Sequence, residues 1–431
     1  MKLSIGSLWI WILSIVPIFI WLIVRVGTNK FNGYSVFTHS LGQLSGLVGM
    51  TMFALTFILT TRLWFIEKYF GGLDKGYKVH HSLGVFAFVL ILFHPILLVL
   101  NYIPSNINIA AIYFIPSSDW PINFGIIALA GFIILIILTI FAKIAYQKWK
   151  FTHKFMGLVF LIACFHVFFV PTDISLYPIL RYYMLAVSAI GLISYVYDLK
   201  NDFFKKGYRY KVVAKESLGD KVNLIKLVPI NQKMNFKAGQ FVFLKFLDSS
   251  ISQEEHPFTI ASAPKNGEIV FAIKSLGDWT SDLKNLKQGV IAEIDGPYGK
   301  FCNSQNSEQI WIAGGIGITP FLSMAEEFAR GEKRMSKIDL YYCIRNREEA
   351  VFLPKLQEMS KKLSGKFRVI PYFSENNKRI SAKEIIKTSG NLQSKAFMIC
   401  GPSKMMYSLN NQIKAEGVKS ELIKFEDFSL K

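Results

Sequence analysis

Cysteine is scarce in this 431-residue chain. The four present, Cys164, Cys302, Cys343 and Cys400, have no CxxC or other paired spacing. That excludes a disulfide framework and a cysteine-based zinc site. Low-complexity tracts and repeats of solenoid length are missing too. Lys and Arg are absent from residues 101–120 and 171–180, although the chain has 49 of them against 30 Asp and Glu. The net charge of +19 is dispersed with no single basic run, so it argues against nucleic acid and for attraction to anionic membrane lipid. No EF-hand loop or long insertion supports calcium control or an obligatory cytosolic activator. Oligomeric state has no signature in the sequence.

What the chain does have is apolar length. Uncharged runs occupy Leu3–Val24, Leu41–Thr61, Ser82–Leu100, Ile122–Ala142 and Phe155–Val170. A shorter sixth, Tyr182–Tyr197, spans only if Leu176–Leu180 and a snorkelling Arg181 extend it. Leu3–Val24 lacks a small-residue cleavage site and is followed by further spans, so it reads as a transmembrane helix. Basic residues follow the second, fourth and sixth runs, which places both termini on the cytoplasmic side of an inner membrane.

Six of the seven histidines precede residue 198, and four fall in near-matching frames: His80-x-x-x-Gly84…His94 and His153-x-x-x-Gly157…His166. Gaps of 14 and 13 residues correspond to a helical rise of roughly 20 Å, most of the hydrocarbon thickness. An imidazole in lipid is costly. A single one is satisfied by a backbone carbonyl on a neighbouring helix, but four at matching depth point to two stacked ligands, and haem iron held from both faces is the simplest. The frame selects His80 over His81, because Gly84 follows His80 as Gly157 follows His153, and glycine lets a flat macrocycle approach the backbone. His81 then faces the headgroups. Thirteen residues leave His166 off the face of His153, so a kink, a π-bulge or different rotamers must compensate.

Composition changes at about Asp198. Short alternating runs, Tyr210–Val213, Val222–Leu227 and Phe241–Phe246, read as strands of an antiparallel barrel. From about Ser307 the pattern becomes buried strand, glycine turn, helix. Gln309–Ala313 leads into Gly314-Gly315-Ile316-Gly317-Ile318-Thr319-Pro320 and then Phe321–Arg330. Further strands are expected at Lys337–Ile344, Phe367–Tyr372 and Ala396–Ile399, giving a doubly wound parallel sheet. Glycines between strand and helix let backbone amides reach a pyrophosphate. Arg345 and Arg347 follow the second strand, where a 2′-phosphate is read, favouring NADPH over NADH, with Arg379 a lesser candidate. The expected domains are residues 1–198, a six-helix haem bundle; 199–305, an antiparallel barrel; and 306–431, an α/β nucleotide domain.

In order, His256-Pro257-Phe258-Thr259-Ile260-Ala261-Ser262, Gly277-Asp278-Trp279-Thr280, Asp295-Gly296-Pro297-Tyr298-Gly299, the Gly314–Pro320 turn and Cys400-Gly401-Pro402 resemble the ferredoxin-NADP reductase superfamily. With the histidine-bearing bundle in front, residues 38–431 resemble the NADPH oxidase and ferric reductase family, most closely its short bacterial oxidases. The resemblance implies FAD, two b-type haems and NADPH or NADH as cofactors. It places Phe258 against the isoalloxazine, with His256, Pro257 and Thr259 forming the flavin site. Lys274 and the turn Gly277–Thr280 would serve the FAD pyrophosphate. Gly314, Gly315, Gly317, Thr319 and Pro320 would cradle the nicotinamide dinucleotide. Cys400, with Gly401 and Pro402, would lie by the nicotinamide, and Phe428 would cover the flavin. His80 with His153 and His94 with His166 would hold the inner and outer haems.

The expected function is transmembrane electron transfer from cytosolic NAD(P)H to an external acceptor. Two six-coordinate irons leave oxygen no open metal position, so dioxygen would leave as superoxide. Ferric chelates are the first alternative, and neither outer segment has a His or Cys cluster for iron. An electron-donating subunit for a periplasmic protein, docking through Ile107–Pro116, is the second. A haem sensor conflicts with the complete flavin and nucleotide motifs.

Nicotinamide C4 must come within about 3–3.5 Å of flavin N5 for hydride transfer, so an aromatic covering that face has to leave first. Stacking is worth about 0.5–1.5 kcal/mol beyond buried area, or roughly 2- to 13-fold in an equilibrium constant. Phe428→Ser is expected to lower the apparent KM for NADPH, and that for NADH, which lacks the phosphate anchor, by more. Phe428→Trp is expected to slow flavin reduction with normal haem content. Stopped-flow flavin reduction unchanged in both variants contradicts the assignment.

Overall fold

The computed structural model describes residues 4–28, 30–103, 106–142, 146–204, 207–264, 267–302, 308–331, 336–363, 365–375 and 379–426. Phe428 lies outside them. The chain forms two compact units, Met1–Lys205 and Lys206–Lys431.

Among the described residues, the first unit has six helices long and apolar enough to cross a membrane: Ile5–Val24, Tyr34–Thr60, Leu73–Leu100, Trp120–Ile140, Gln147–Phe169 and Pro178–Asp202. A lipid-exposed backbone must satisfy its own hydrogen bonds, which makes helices the default for such runs. Tyr34–Thr60 is the inner helix and is mostly buried; the other five turn large apolar side chains such as Phe86, Ile134 and Ile193 outward. Small residues allow close approach to this inner helix. A Cβ on Gly42 would lie 2.8 Å from Leu98 and one on Gly49 2.8 Å from Ile91, so the Gly42-x-x-x-Gly46 stripe lets the Leu73–Leu100 helix pack against it.

The sixth span is longer than its uncharged run, because it starts at Pro178 and runs through Arg181 to Asp202. The fifth is broken. Helices Tyr146–Lys154 and Met156–Phe169 meet at Phe155, whose N–H reaches back only three residues to Thr152 O at 3.1 Å. This tightened turn falls between His153 and His166, where the thirteen-residue spacing demands an adjustment.

The second unit has two sheets. The first, all antiparallel, has the order β4-β3-β6-β1-β2-β5, with β1 Tyr208–Leu218, β2 Val222–Pro229, β3 Phe241–Leu247, β4 His256–Thr259, β5 Ile269–Lys274 and β6 Ile291–Tyr298. A bridge between Ile260 and Phe271 joins the continuation of β4 to β5 and closes a barrel around Phe246, Phe271 and Ile294. The second sheet, all parallel, has the order β11-β10-β7-β8-β9, with β7 Gln309–Gly314, β8 Ile338–Ile344, β9 Phe367–Phe373, β10 Ala396–Cys400 and β11 Ile423–Glu426. Strand order runs one way from β7 to β9 and reverses at β10. Ligands bind beyond the carboxyl ends of strands at such a switch point.

Candidate functional site

In the first unit the four histidines meet in two pairs. His80 and His153 have ring centres 6.2 Å apart, and His94 and His166 6.3 Å, with ring planes crossed by 67° and 69°. A metal bonded at about 2 Å to one nitrogen of each imidazole sets ring centres a little over 6 Å apart, once the half-width of each ring is added. Each pair has the separation that one iron between its two rings would require.

The other ring nitrogens are already engaged. His80 Nδ1 lies 3.0 Å from Thr56 O, His94 Nδ1 2.7 Å from Gly42 O and His166 Nδ1 2.9 Å from Pro121 O. A carbonyl only accepts, so each Nδ1 carries the proton and each Nε2 keeps a lone pair for a metal. His153 Nδ1 has Thr139 Oγ1 at 3.4 Å; that hydroxyl donates to Leu135 O at 2.7 Å, which leaves its oxygen free to accept. Trp149 stacks on the His153 ring at 5.3 Å. His81 is exposed.

Glycines create room for these rings, but from neighbouring helices. A Cβ on Gly46 would lie 2.7 Å from His94 Nδ1, and one on Gly125 2.7 Å from His166 Nδ1. Gly84 faces open space, as its frame suggests, whereas Gly157 receives the Tyr195 ring at 2.3 Å from its would-be Cβ and so serves packing. Between the pairs lies a phenylalanine layer. Phe53 stacks on Phe132 at 4.6 Å and meets Phe160 edge-on at 5.1 Å, while Phe88 meets Phe132 at 5.5 Å.

Sequence reasoning did not find a polar knot on the His94 side of the bundle. Arg25 Nη1 donates to Gln43 at 3.0 Å and lies 3.3 Å from Asp173 Oδ2, which also accepts from Trp21 Nε1 at 2.8 Å. Gln43 adjoins the Gly42 carbonyl that holds His94.

In the second unit the glycine turn occupies the switch point. Gly314 ends β7, and Gly315–Ile318 form a 3₁₀ turn leading into the helix Thr319–Ala329. A Cβ on Gly317 would lie 2.5 Å from Cys400 O, and one on Gly314 2.7 Å from both Pro402 and Met405. Gly401, at φ 155°, packs on Gly314. The Thr319 hydroxyl donates to Ile316 O at 3.2 Å, and Pro320 and Cys400 are buried. The Thr319 N–H is bonded to Ile316 O within the 3₁₀ turn and Pro320 has none, so the turn runs into the helix without a side-chain cap. Arg345 and Arg347 are exposed just beyond β8, whereas burial pushes the Cys343 thiol on β8 up to about 12 and keeps it protonated.

On the barrel side, Trp279 gathers the flavin motif. It stacks on Phe258 at 5.5 Å and on Phe246 at 5.9 Å, and touches His256 at 4.5 Å. His256 Nε2 lies 3.0 Å from Glu254 Oε2. Pro257 pairs with Phe243 across β3. Lys274 Nζ lies 4.0 Å from Glu349 in the loop after β8. The Thr280 hydroxyl accepts from the N–H groups of Leu276 and Gly277 at 2.8 and 3.0 Å and so closes its own turn, while Gly277 faces open space. Thr259 is buried, and its hydroxyl has no hydrogen-bond partner among the described residues. Such an orphan is what a flavin oxygen or nitrogen would satisfy. Glu426, at the end of β11 and paired in register with Cys400, lies 3.2 Å from a Cβ built on Gly299. Sequence reasoning passed over it because a lone acid near the terminus has no motif of its own.

Residues 45–164 match the model of the ferric reductase like transmembrane component, residues 210–302 that of an FAD-binding domain, and residues 311–411 that of an oxidoreductase NAD-binding domain. The chain thus carries the module set of a transmembrane, FAD-containing, NAD(P)H-dependent oxidoreductase of ferric reductase-like type. NADPH oxidases are among its relatives. NADPH oxidase 1 of Mus musculus is 27% identical over 169 residues, covering 37% of this chain and 28% of that protein. Dual oxidase 2 of Sus scrofa is 24% identical over 315 residues, covering 65% and 20%. The chain spans no more than 65% of the length of the first curated relatives it matches. Among solved structures, the flavohemoglobin from Malassezia yamatoensis has a TM-score of 0.52 at 16% identity, over 97% of this chain and 99% of that one. At that identity the likeness is of fold alone.

The orphan hydroxyl of Thr259 generates a two-sided expectation. A buried unsatisfied hydroxyl costs about 1–3 kcal/mol. Thr259→Val is expected to raise the Tm of FAD-free protein while weakening FAD binding by roughly tenfold, the worth of about 1.4 kcal/mol. Flavin fluorescence titration with thermal unfolding checks both. Unchanged FAD affinity contradicts the assignment.

Proposed function

We propose that this protein carries electrons from NAD(P)H on the cytoplasmic side of an inner membrane to an acceptor outside, with dioxygen reduced to superoxide as the leading reaction. The observation that carries this reading is the pair of imidazole couples, each with metal-bonding separation and three of the four Nδ1 groups held by a backbone carbonyl. When bound, FAD would convert a two-electron hydride into single electrons, and haem would carry them singly.

The chain's residues have distinct tasks in this scheme. His80 with His153 would hold the inner haem and His94 with His166 the outer. Phe258, Thr259 and His256 would seat the flavin, with Lys274 and the turn Gly277–Thr280 at its pyrophosphate. Gly314, Gly315, Gly317, Thr319 and Pro320 would cradle the nucleotide phosphates at the end of β7, with Cys400, Gly401 and Pro402 beside the nicotinamide. Arg345 and Arg347, exposed beyond β8, would receive a 2′-phosphate, which favours NADPH. Phe428 would cover the flavin. Held by His80 with His153 and by His94 with His166, each iron would have no metal position left for oxygen, so reduction of dioxygen would be outer-sphere.

His80→Ala or His153→Ala is expected to remove the inner haem, and His94→Ala or His166→Ala the outer, each lowering pyridine-haemochrome content by about half. His81→Ala leaves it unchanged. Purified wild type supplied with FAD and NADPH is expected to reduce a superoxide-dismutase-sensitive reporter in air. NADPH oxidation that needs a ferric chelate and proceeds without superoxide would replace dioxygen by the chelate. Haem loss from His81→Ala with retention in His80→Ala would overturn the ligand assignment.

A further inference from the structure

The helix Thr319–Ala329 begins at the nucleotide turn and, one turn later, grips the strand that carries the flavin motif. Ser323 is fully buried, and its hydroxyl donates to Ser262 O at 2.6 Å. Three residues on, Glu326 Oε2 accepts from Ala263 N–H at 3.4 Å. Ser262 is held from the barrel side as well. Its Oγ accepts from Val270 N–H at 3.0 Å, and Ala261 N–H donates to Val270 O at 2.8 Å.

These contacts link two sites by a short path. Ser262 lies three residues after Thr259, and Ser323 lies four after Thr319. The nucleotide turn and the flavin motif are therefore joined by two short covalent segments and one buried hydrogen bond. The surroundings are dry and tight. Ala238, Ala261, Ala272 and Phe301, from the barrel, belong to the same apolar core as Phe321 and Met324 of the helix. Glu326 is itself fixed, since Arg330 donates to its Oε1 at 2.5 Å and Lys355 Nζ lies 3.8 Å from Oε2 across a cleft of about 210 Å³.

We propose that Ser323 and Glu326 are positioning residues for hydride transfer. They fix the distance between the nucleotide turn and the flavin motif, so the nicotinamide meets the flavin without any closing of one module on the other. The inference rests on the reading of this unit as an NAD(P)H–flavin module. A displacement of about 1 Å in a near-attack geometry can cost roughly 100-fold in rate. Removing one buried anchor among several is expected to cost about tenfold.

The test uses full-length holoprotein in detergent. Stopped-flow flavin reduction at saturating NADPH is expected to slow about tenfold in Ser323→Ala, with the KM for NADPH and the FAD content within twofold of wild type. Glu326→Ala is expected to slow it about threefold. Glu326→Gln, which keeps an oxygen acceptor for Ala263 N–H, is expected to restore it. Amide hydrogen exchange at 262–263 is expected to quicken in both alanine variants and in the FAD-free protein alike. Should Ser323→Ala fail to accumulate, the Ala and Gln variants of Glu326 carry the test. Wild-type rates in the alanine variants, or slowing matched by equal loss of FAD, would overturn the inference. A wild-type flavin that neither NADPH nor NADH reduces would instead overturn the functional reading beneath it.

Discussion

Everything in the membrane unit depends on how four imidazoles are held in pairs within an apolar bundle. For three of them the backbone carbonyls of Thr56, Gly42 and Pro121 fix the tautomer and the ring by accepting from Nδ1, which leaves Nε2 with the lone pair. Glycine permits it, because Gly46 and Gly125 leave space against the His94 and His166 rings that any side chain would fill. The inner helix Tyr34–Thr60 is thus small and polar in places where a simple membrane anchor would be large and apolar. Between the two histidine levels, Phe53, Phe88, Phe132 and Phe160 pack ring against ring.

The reductase unit solves a different problem with rigid geometry. Its parallel sheet reverses order between β7 and β10, and Gly314, Gly317 and Gly401 let the two strand ends and the turn approach to backbone contact. The barrel motif is anchored to the same place through Ser262 and Ser323. Two modules of different architecture therefore share one apolar core around Phe301, Trp311 and Phe321, whose rings pack at 5.3 to 5.6 Å.

Much of this was legible in the chain because it is periodic or local. The alternating barrel strands and the strand–glycine–helix pattern at Gln309–Arg330 fall on observed elements, and each of the six apolar runs lies on an observed helix, although the second, third and fifth helices begin seven to nine residues earlier because polar turns precede the apolar run. The thirteen-residue histidine gap foretold an irregularity, and it lies at Phe155. What escaped is long-range. The Arg25–Asp173 pair joins residues 148 positions apart, and Ser323–Ser262 joins residues 61 apart, so neither leaves a trace in local pattern. The glycine frame after each histidine proved only half informative. Gly84 faces open space, but Gly157 packs on Tyr195, and the glycines that make room for the outer rings sit on other helices.

The central claim is that electrons entering at the nucleotide site reach the histidine couples in the membrane. Anaerobic mixing of FAD- and haem-loaded protein with NADPH, followed by absorbance, tests it most directly. Flavin bleaching followed by the spectrum of reduced haem, and prompt haem reoxidation when air is admitted, is the predicted result. A flavin that is fully reduced while the haem stays oxidised would contradict the account.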